Sequence, residues 1–409
     1  MADIPRATQD HYVHIQRVQL VALKAARRAW AEVDPNRISQ TWLQTVERDL
    51  TPVITAAQVN AATAGSDYSA MTLAQQGQYV APDAFVDPNA FGGYSADGYP
   101  IGETLAAPAY RAKALIGSGI AAPEAVARAR SLLDTIVGST VSDAARQSAS
   151  VDIAARPGTS YVRMLNPPSC SRCTILAGRF YRWNKGFLRH PSCDCEHVIT
   201  TVGSQGEAYA NGLVDDPYEY FKSLPEAEQN KVFGKSSARS IRDGSDIYRV
   251  ENAKRGASGL STTAGTSKRG FMPNQKRLTP DGIYSQNLSR EQTLNLLSDN
   301  GYILNAGQVP GGSIIGAHYE GFGALGRGGT RKGASASVTR AQQTGVRTPG
   351  DRYTATAAER RLIDSEARYK TALEGRNPYG KGPASPTDLA TAETDYRRWL
   401  TSGGEIFTK

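Results

Sequence analysis

Four cysteines lie within 26 residues near the middle of the chain, and the rest of the 409-residue sequence has none. Cys170 and Cys173 form a Cys-x-x-Cys pair, and Cys193 and Cys195 form a Cys-x-Cys pair after 19 further residues. Two short thiol pairs about twenty residues apart have the ligand type and spacing that a tetrahedral zinc ion favours. The sequence therefore predicts a structural zinc site held by these four cysteines.

Two features of this pattern stay open. Cys-x-Cys is tighter than the usual second pair, so His190 could bind together with Cys195 in place of Cys193. Two disulfides are another interpretation, but a bridge between Cys193 and Cys195 would be strained; unliganded thiols are a third. A catalytic zinc needs an open coordination position, which three or four cysteines would fill. We therefore expect an architectural metal, no catalytic residue and no enzymatic activity.

The N-terminal 160 residues have the periodicity of helices. Apolar side chains recur every three or four residues in three stripes, which begin at Ile15, Leu43 and Val126. Pro52 is expected to kink the second helix, and residues 66–100, rich in Gly, Pro, Asp and Tyr, suggest a long irregular loop. Because the stripes are rich in alanine, each helix buries little area alone, so these helices need one another or a partner surface. An assembly protein and an ordinary helical bundle are both open interpretations.

The charge of the chain is unevenly distributed. The chain has 47 basic and 39 acidic residues, a net charge of +8, and residues 251–350 alone hold 18 glycines, 12 basic and 5 acidic residues. That stretch is too glycine-rich to bury much surface, although Ser289 and Gln292 predict one short capped helix. Upstream, Ser223 and Glu226 suggest a second capping box.

The sequence contains no run of 18 apolar residues, so it predicts no membrane span. The start of the chain does not resemble a secretory signal.

These patterns predict a mainly α fold with a small α+β zinc-knuckle domain and a long, irregular, basic, glycine-rich segment. We divide the chain into four parts: a helical N-terminal domain (1–160), the zinc-knuckle domain (161–255), the basic glycine-rich segment with one short helix (256–350) and a helical C-terminal tail (351–409).

The cysteine motif also resembles a known family. The run YVRMLNPPSCSRCTILAGRFYRW from Tyr161 and the run FLRHPSCDC from Phe187 resemble the minor head proteins of tailed phages related to phage Mu protein F, in the form found in phages of actinobacteria. That family pairs an early Cys-x-x-Cys with a later His-Pro-x-Cys-x-Cys. This chain has Cys-Asp-Cys where many relatives carry Cys-Arg-Cys. The resemblance covers most of residues 10–255 and, more loosely, residues 277–303 and 359–400.

The resemblance implies a role in head morphogenesis. Such proteins are present at low copy inside the capsid and associate with the portal during assembly. We accordingly expect a structural virion component, made in the host cytoplasm and located in the capsid interior near the portal. Its expected partners are the portal protein, the major capsid protein and packaged double-stranded DNA, with no membrane and no small-molecule substrate. The alternative is a capsid-maturation protease or a zinc-containing nuclease, for which His190 and His197 are the candidate bases.

Overall fold

The structure is a computed structural model that describes residues 4–83, 85–86, 88–95, 99–165, 169–183, 195–213, 216–254 and 357–401, with short stretches at 266–267, 277–278, 286–289, 292 and 296. The described residues are mainly helical and include a small three-stranded antiparallel sheet. None of the described helices is both long and apolar enough to cross a bilayer. The basic glycine-rich segment 256–350 lies almost entirely outside the described residues.

The helices fall in three groups along the chain. The N-terminal helices are α1 (Arg6–Ala31), α2 (Ile38–Thr45), α3 (Thr51–Gln75), α4 (Ile101–Gly117) and α5 (Ala122–Ala155). The central helices are α6 (Ser171–Leu176), α7 (Gln205–Ala210), α8 (Pro217–Ser223), α9 (Glu226–Phe233), α10 (Lys235–Arg242) and α11 (Ile247–Ala253). The C-terminal helices are α12 (Ala357–Leu373) and α13 (Pro386–Thr401).

The strands are short. The three-stranded sheet has the order β2-β1-β3 and consists of β1 (Ser160–Met164), β2 (Phe180–Arg182) and β3 (Glu196–Thr200). A second, two-stranded antiparallel pair joins β4 (Thr266–Ser267) and β5 (Arg277–Leu278).

The chain divides into two compact units. What we call the large unit contains the described residues of 4–161, 181–203 and 357–401, and the small unit contains those of 162–180 and 204–296. The large unit therefore includes both the N-terminal and the C-terminal helices. The four-part division made from the sequence stays a prediction about domain boundaries.

Helices α1, α3 and α5 form the centre of the large unit, where small side chains allow close packing. Ala22 and Ala26 of α1 are fully buried, and Gly65 of α3 lies so near α5 that a Cβ there would be 2.1 Å from the carbonyl oxygen of Ala145. Two indole rings close one end of this core: Trp30 and Trp42 meet edge to face at 4.7 Å. Each indole N–H donates to a backbone carbonyl, which satisfies its polar group inside the core.

The second predicted helix is longer and less regular than expected. A π-helical turn, Val46–Leu50, joins α2 to α3 just before Pro52, which lacks the N–H that a continuous helix would use. Helix α3 continues to Gln75, so the prediction of an irregular loop from residue 66 was wrong for its first ten residues. Their side chains are mostly buried among neighbouring helices, because tertiary packing outweighs the modest helix propensity of Gly, Ser and Asp.

A cluster of four charged side chains joins the C-terminal helices to the rest of the large unit. Asp152 and Arg156 of α5 meet Glu393 and Arg397 of α13, and all four are almost fully buried. Arg397 donates to Asp152 at 2.7 Å and to Glu393 at 2.8 Å, and Arg156 donates to Asp152 at 2.9 Å and pairs with Glu393. The two positive and two negative charges cancel, which a buried cluster requires.

Asp67 of α3 lies at the edge of this charge cluster. Its carboxylate is 3.8 Å from Arg397, and 29% of its side chain is exposed. Burial raises the pKa of Asp67 to about 6, against the opposing attraction of Arg397 and with added repulsion from Asp152 and Glu393. Asp67 is thus a third carboxylate beside two guanidinium groups.

The small unit has its own apolar core. Its buried side chains come from α6 and from helices α8 to α11: Ile175, Leu176, Phe221, Phe233, Ala238, Ile241, Ile247, Tyr248, Val250 and Ala253. Gly244 ends α10 with a φ of 100°, a conformation that only glycine adopts readily. This core fixes α6, the helix that carries the first cysteine pair.

Candidate metal centre

The first cysteine pair sits at the start of α6. Cys170 is the N-cap residue, with extended backbone angles, and its Sγ accepts the N–H of Cys173 at 3.4 Å. Thr174 Oγ1 donates to the carbonyl of Cys170 at 3.1 Å, which holds the turn closed. Cys170 and Cys173 therefore lie at the start of one capped helical turn, at a spacing that zinc-binding turns use.

A buried arginine contacts the second thiol of this pair. Nη2 of Arg163, on β1, lies 3.7 Å from Sγ of Cys173. The backbone of Arg163 is fixed as well, since its N–H donates to Arg179 and its carbonyl accepts from Gly178. A guanidinium beside sulfur stabilises the thiolate, the form of cysteine that binds metal. No sequence spacing pointed to this contact, because β1 and α6 are brought together only by the fold of the small unit.

Polar side chains anchor the other face of α6 to α11. Arg172 donates to Asn252 Oδ1 at 2.9 Å. Glu251 is buried beside it and pairs with Lys254. Burial raises the pKa of the Glu251 carboxyl, although Lys254, Ser171 and Arg172 all act to lower it. These contacts between α6 and α11 fix the helix that carries the cysteine turn.

Cys195 is described in the large unit, immediately before β3. Its side chain is fully buried, and its carbonyl accepts a 2.8 Å hydrogen bond from Nε of Arg146 on α5. Arg146 also lies 3.5 Å from Asp143 on the same helix. The last of the four predicted ligands is thus held by its backbone to a charged segment of α5.

His190 and Cys193 lie outside the described residues, so the structure gives no position for two of the five candidate ligands. The three described cysteines form no disulfide. Within the described part of the chain, no group of three or more His, Cys, Asp or Glu side chains is placed to hold a metal ion. The thiol donors suit zinc chemically, and the full ligand set stays a prediction.

A polar cluster that the sequence did not indicate lies in the large unit beside β3. His11 of α1 stacks on Tyr68 with ring centroids 4.1 Å apart, and its Nε2 is 3.6 Å from Glu196 Oε2. Tyr68 donates to the carbonyl of His197 at 2.8 Å. His197 is buried with its ring edge-on to Tyr161. His11 and Glu196 are 185 positions apart, so no local pattern could have paired them.

Comparison of the chain with protein-family models, with curated proteins and with solved structures found no match. The likeness that can be argued for this chain is therefore the one carried by its own cysteine motif.

Proposed function

We propose that the chain is a minor head protein of a tailed phage, a structural component located inside the capsid near the portal. The observation that carries this proposal is the motif of Cys170, Cys173, His190, Cys193 and Cys195 with the residues around it, which resembles the phage Mu protein F family. The portal protein, the major capsid protein and packaged DNA are the partners proposed on this basis.

The zinc site belongs to the same proposal. We propose that Cys170, Cys173, Cys193 and Cys195, or His190 in place of Cys193, hold one structural zinc ion. The closed turn at Cys170 and the guanidinium at Cys173 support it. A structural metal would contribute folding energy to the segment that carries these ligands.

The surroundings of His197 support a structural role over a nuclease. A general base must reach the proton that it removes, whereas the His197 side chain is buried and in contact with Tyr161 and Ser150. We therefore propose no catalytic residue. Incubation of the purified chain with DNA and magnesium checks this, because cleavage that Cys170→Ser leaves intact and His197→Ala abolishes would revive the enzyme.

Two measurements test the proposal. Purified particles of the phage that encodes this chain should contain it at a few copies per portal, and particles without it should assemble or package defectively. Elemental analysis of the reduced protein should find about one zinc per chain, lost in the Cys170→Ser, Cys173→Ser variant. Separate Cys193→Ser and His190→Ala variants then identify the fourth ligand. Native protein free of zinc would refute the metal site, and virions that lack the chain would refute the location.

A further inference from the structure

One face of α1 carries apolar and basic side chains together. Buried residues of α1, such as Ile15, Ala22 and Ala26, face the core. At about 100° per residue, six residues between Val13 and Arg28 fall on the opposite side within an arc of about 100°. What we call the α1 outer face consists of these six: Val13, Arg17, Leu20, Val21, Lys24 and Arg28.

The apolar members of the α1 outer face are unusually exposed. Val13, Leu20 and Val21 expose 43%, 49% and 66% of their surfaces. They are three of the eleven large hydrophobic residues that are exposed in the described part of the chain. The other long N-terminal helices, α3, α4 and α5, show at most one each, such as Val53 or Tyr110. Contiguous exposed apolar side chains on one helix face are typical of an interaction surface.

The basic members of the same face are not paired, in the described part of the chain, with the nearest acidic residues, Asp10 and Glu32; Asp10 pairs with Arg6 instead. Residues 13–28 contain no Asp or Glu, and no salt bridge to Arg17, Lys24 or Arg28 is found among the described residues. Arg27, by contrast, turns to the flank of the helix and pairs with Asp134 at 2.9 Å. The α1 outer face is therefore an apolar ridge with an uncompensated charge of +3.

We infer that the α1 outer face docks on a protein surface that combines apolar side chains with carboxylates. Carboxylates on the partner would complement the positive charges and fix the register, while the apolar side chains supply contact area. Nucleic acid fits this face less well, because three of its six side chains are apolar and exposed and would meet phosphates. The identity of the partner rests on the proposed function, under which it is the portal subunit.

The experiment measures binding of the full chain to the purified portal protein by co-purification and titration. One variant removes the positive charges, Arg17→Gln, Lys24→Gln, Arg28→Gln, and another removes the apolar ridge, Leu20→Ser, Val21→Ser. Matched controls make the same changes elsewhere on the large unit: Arg111→Gln, Lys113→Gln, Arg130→Gln, and Leu43→Ser, Val53→Ser, all at exposed positions. Circular dichroism of each variant confirms that it is folded.

We expect each outer-face variant to bind portal about tenfold or more weakly, with each control within about twofold of the unmodified chain. Binding of the unmodified chain should weaken as salt is raised. Outer-face variants that bind as well as the controls overturn the inference and leave the proposed function standing. Failure of the unmodified chain to bind portal overturns both. A charge variant that loses only binding to duplex DNA would show that the face recognises nucleic acid and would also overturn the inference.

Discussion

The buried charge cluster of the large unit yields a quantitative prediction for Glu393→Gln. The Glu393 carboxylate accepts from Arg156 at 3.1 Å, from Arg397 at 2.8 Å and from Tyr79 at 2.6 Å, and pairs a second time with Arg156. Replacement by the neutral amide leaves two buried guanidinium groups with Asp152 as their main counter-charge. Breaking a buried ion pair by removing one partner costs about 3–5 kcal/mol. We expect a loss of that size in the free energy of unfolding.

Urea unfolding followed by circular dichroism measures this loss, with a half-exposed ion pair between the two C-terminal helices as the control. Asp395 of α13 and Arg368 of α12 lie 3.8 Å apart and expose 42% and 37% of their side chains. Asp395→Asn should therefore change the unfolding free energy by less than about 1 kcal/mol. A Glu393→Gln variant that loses no more than this control would refute the claim that the cluster fastens the C-terminal helices.

Replacing the whole cluster separates charge pairing from packing. In the variant Asp152→Leu, Arg156→Met, Glu393→Leu, Arg397→Met, no buried charge is left unpaired. Apolar replacements of complete buried ion clusters are often neutral or stabilising by about 1–4 kcal/mol. We expect the fourfold variant to be more stable than Glu393→Gln alone. A variant less stable than Glu393→Gln would mean that the geometry of the cluster, and not its charge balance, holds the helices.

Two further predictions concern Asp67 and the contact between α3 and α5. Because the pKa of Asp67 is about 6 in the folded chain against a reference of 3.8, the folded state binds more protons between these values. Stability should therefore fall as pH rises from about 4 to 6, and Asp67→Asn should remove that fall in urea titrations at several pH values. Gly65→Ala places a Cβ against the backbone of α5 and should lower the free energy of unfolding by about 1–3 kcal/mol or more. Gly138, by contrast, has open space around it, so Gly138→Ala should raise the free energy of unfolding by about 0.5–1 kcal/mol.

The carboxylates of the buried cluster act in the opposite direction to Asp67. Burial alone would raise the pKa values of Asp152 and Glu393, but Arg156 and Arg397 outweigh it and lower both. Their stabilisation is therefore present above about pH 4 and is lost as pH falls further. If the unmodified chain and Asp67→Asn show the same dependence of unfolding free energy on pH, the raised pKa of Asp67 is contradicted. A Gly65→Ala variant as stable as Gly138→Ala would contradict the close packing of α3 and α5.

Local patterns in the sequence predicted much of the helical structure. The stripe at Val126 became α5. The capping box of Ser289 and Gln292 is confirmed, since each side chain bonds the other's backbone N–H. These features depend on residues within a few positions of one another. Helix starts and stops can therefore be predicted without knowledge of the fold.

Other predictions failed where a neighbouring element decides the outcome. Ser223 does not cap α9; it ends α8 and donates back to Tyr220, and α9 begins at Glu226 after Pro225. The stripe at Leu43 was right at Val46 and Leu50, which are buried. It was wrong at Leu43 and Val53, which are exposed, while their neighbours Trp42 and Ile54 enter the core. In both places an adjoining helix competes for the same residues, which periodicity alone does not reveal.

In the candidate site, too, the local feature was predictable from the sequence and the long-range contacts were not. The Cys-x-x-Cys turn was evident from spacing, and its geometry follows from residues 170–174. Its contact with Arg163 and the pairing of His11 with Glu196 join segments that only the folded chain brings together. The i, i+4 spacings of Asp152 with Arg156 and of Glu393 with Arg397 were visible signals, but nothing local indicated that the two pairs meet.

The pairing of α5 with α13 has a consequence for synthesis on the ribosome. Asp152 and Arg397 are 245 positions apart, so the carboxylate emerges long before its guanidinium partner exists. At about 5–20 residues per second, translation leaves the α5 charges without Glu393 and Arg397 for roughly ten to fifty seconds. During that interval the nascent helices cannot complete their native interior, and the last helix to be made is the one that completes it. A chaperone or an early assembly partner that shields the α5 surface would act in this window.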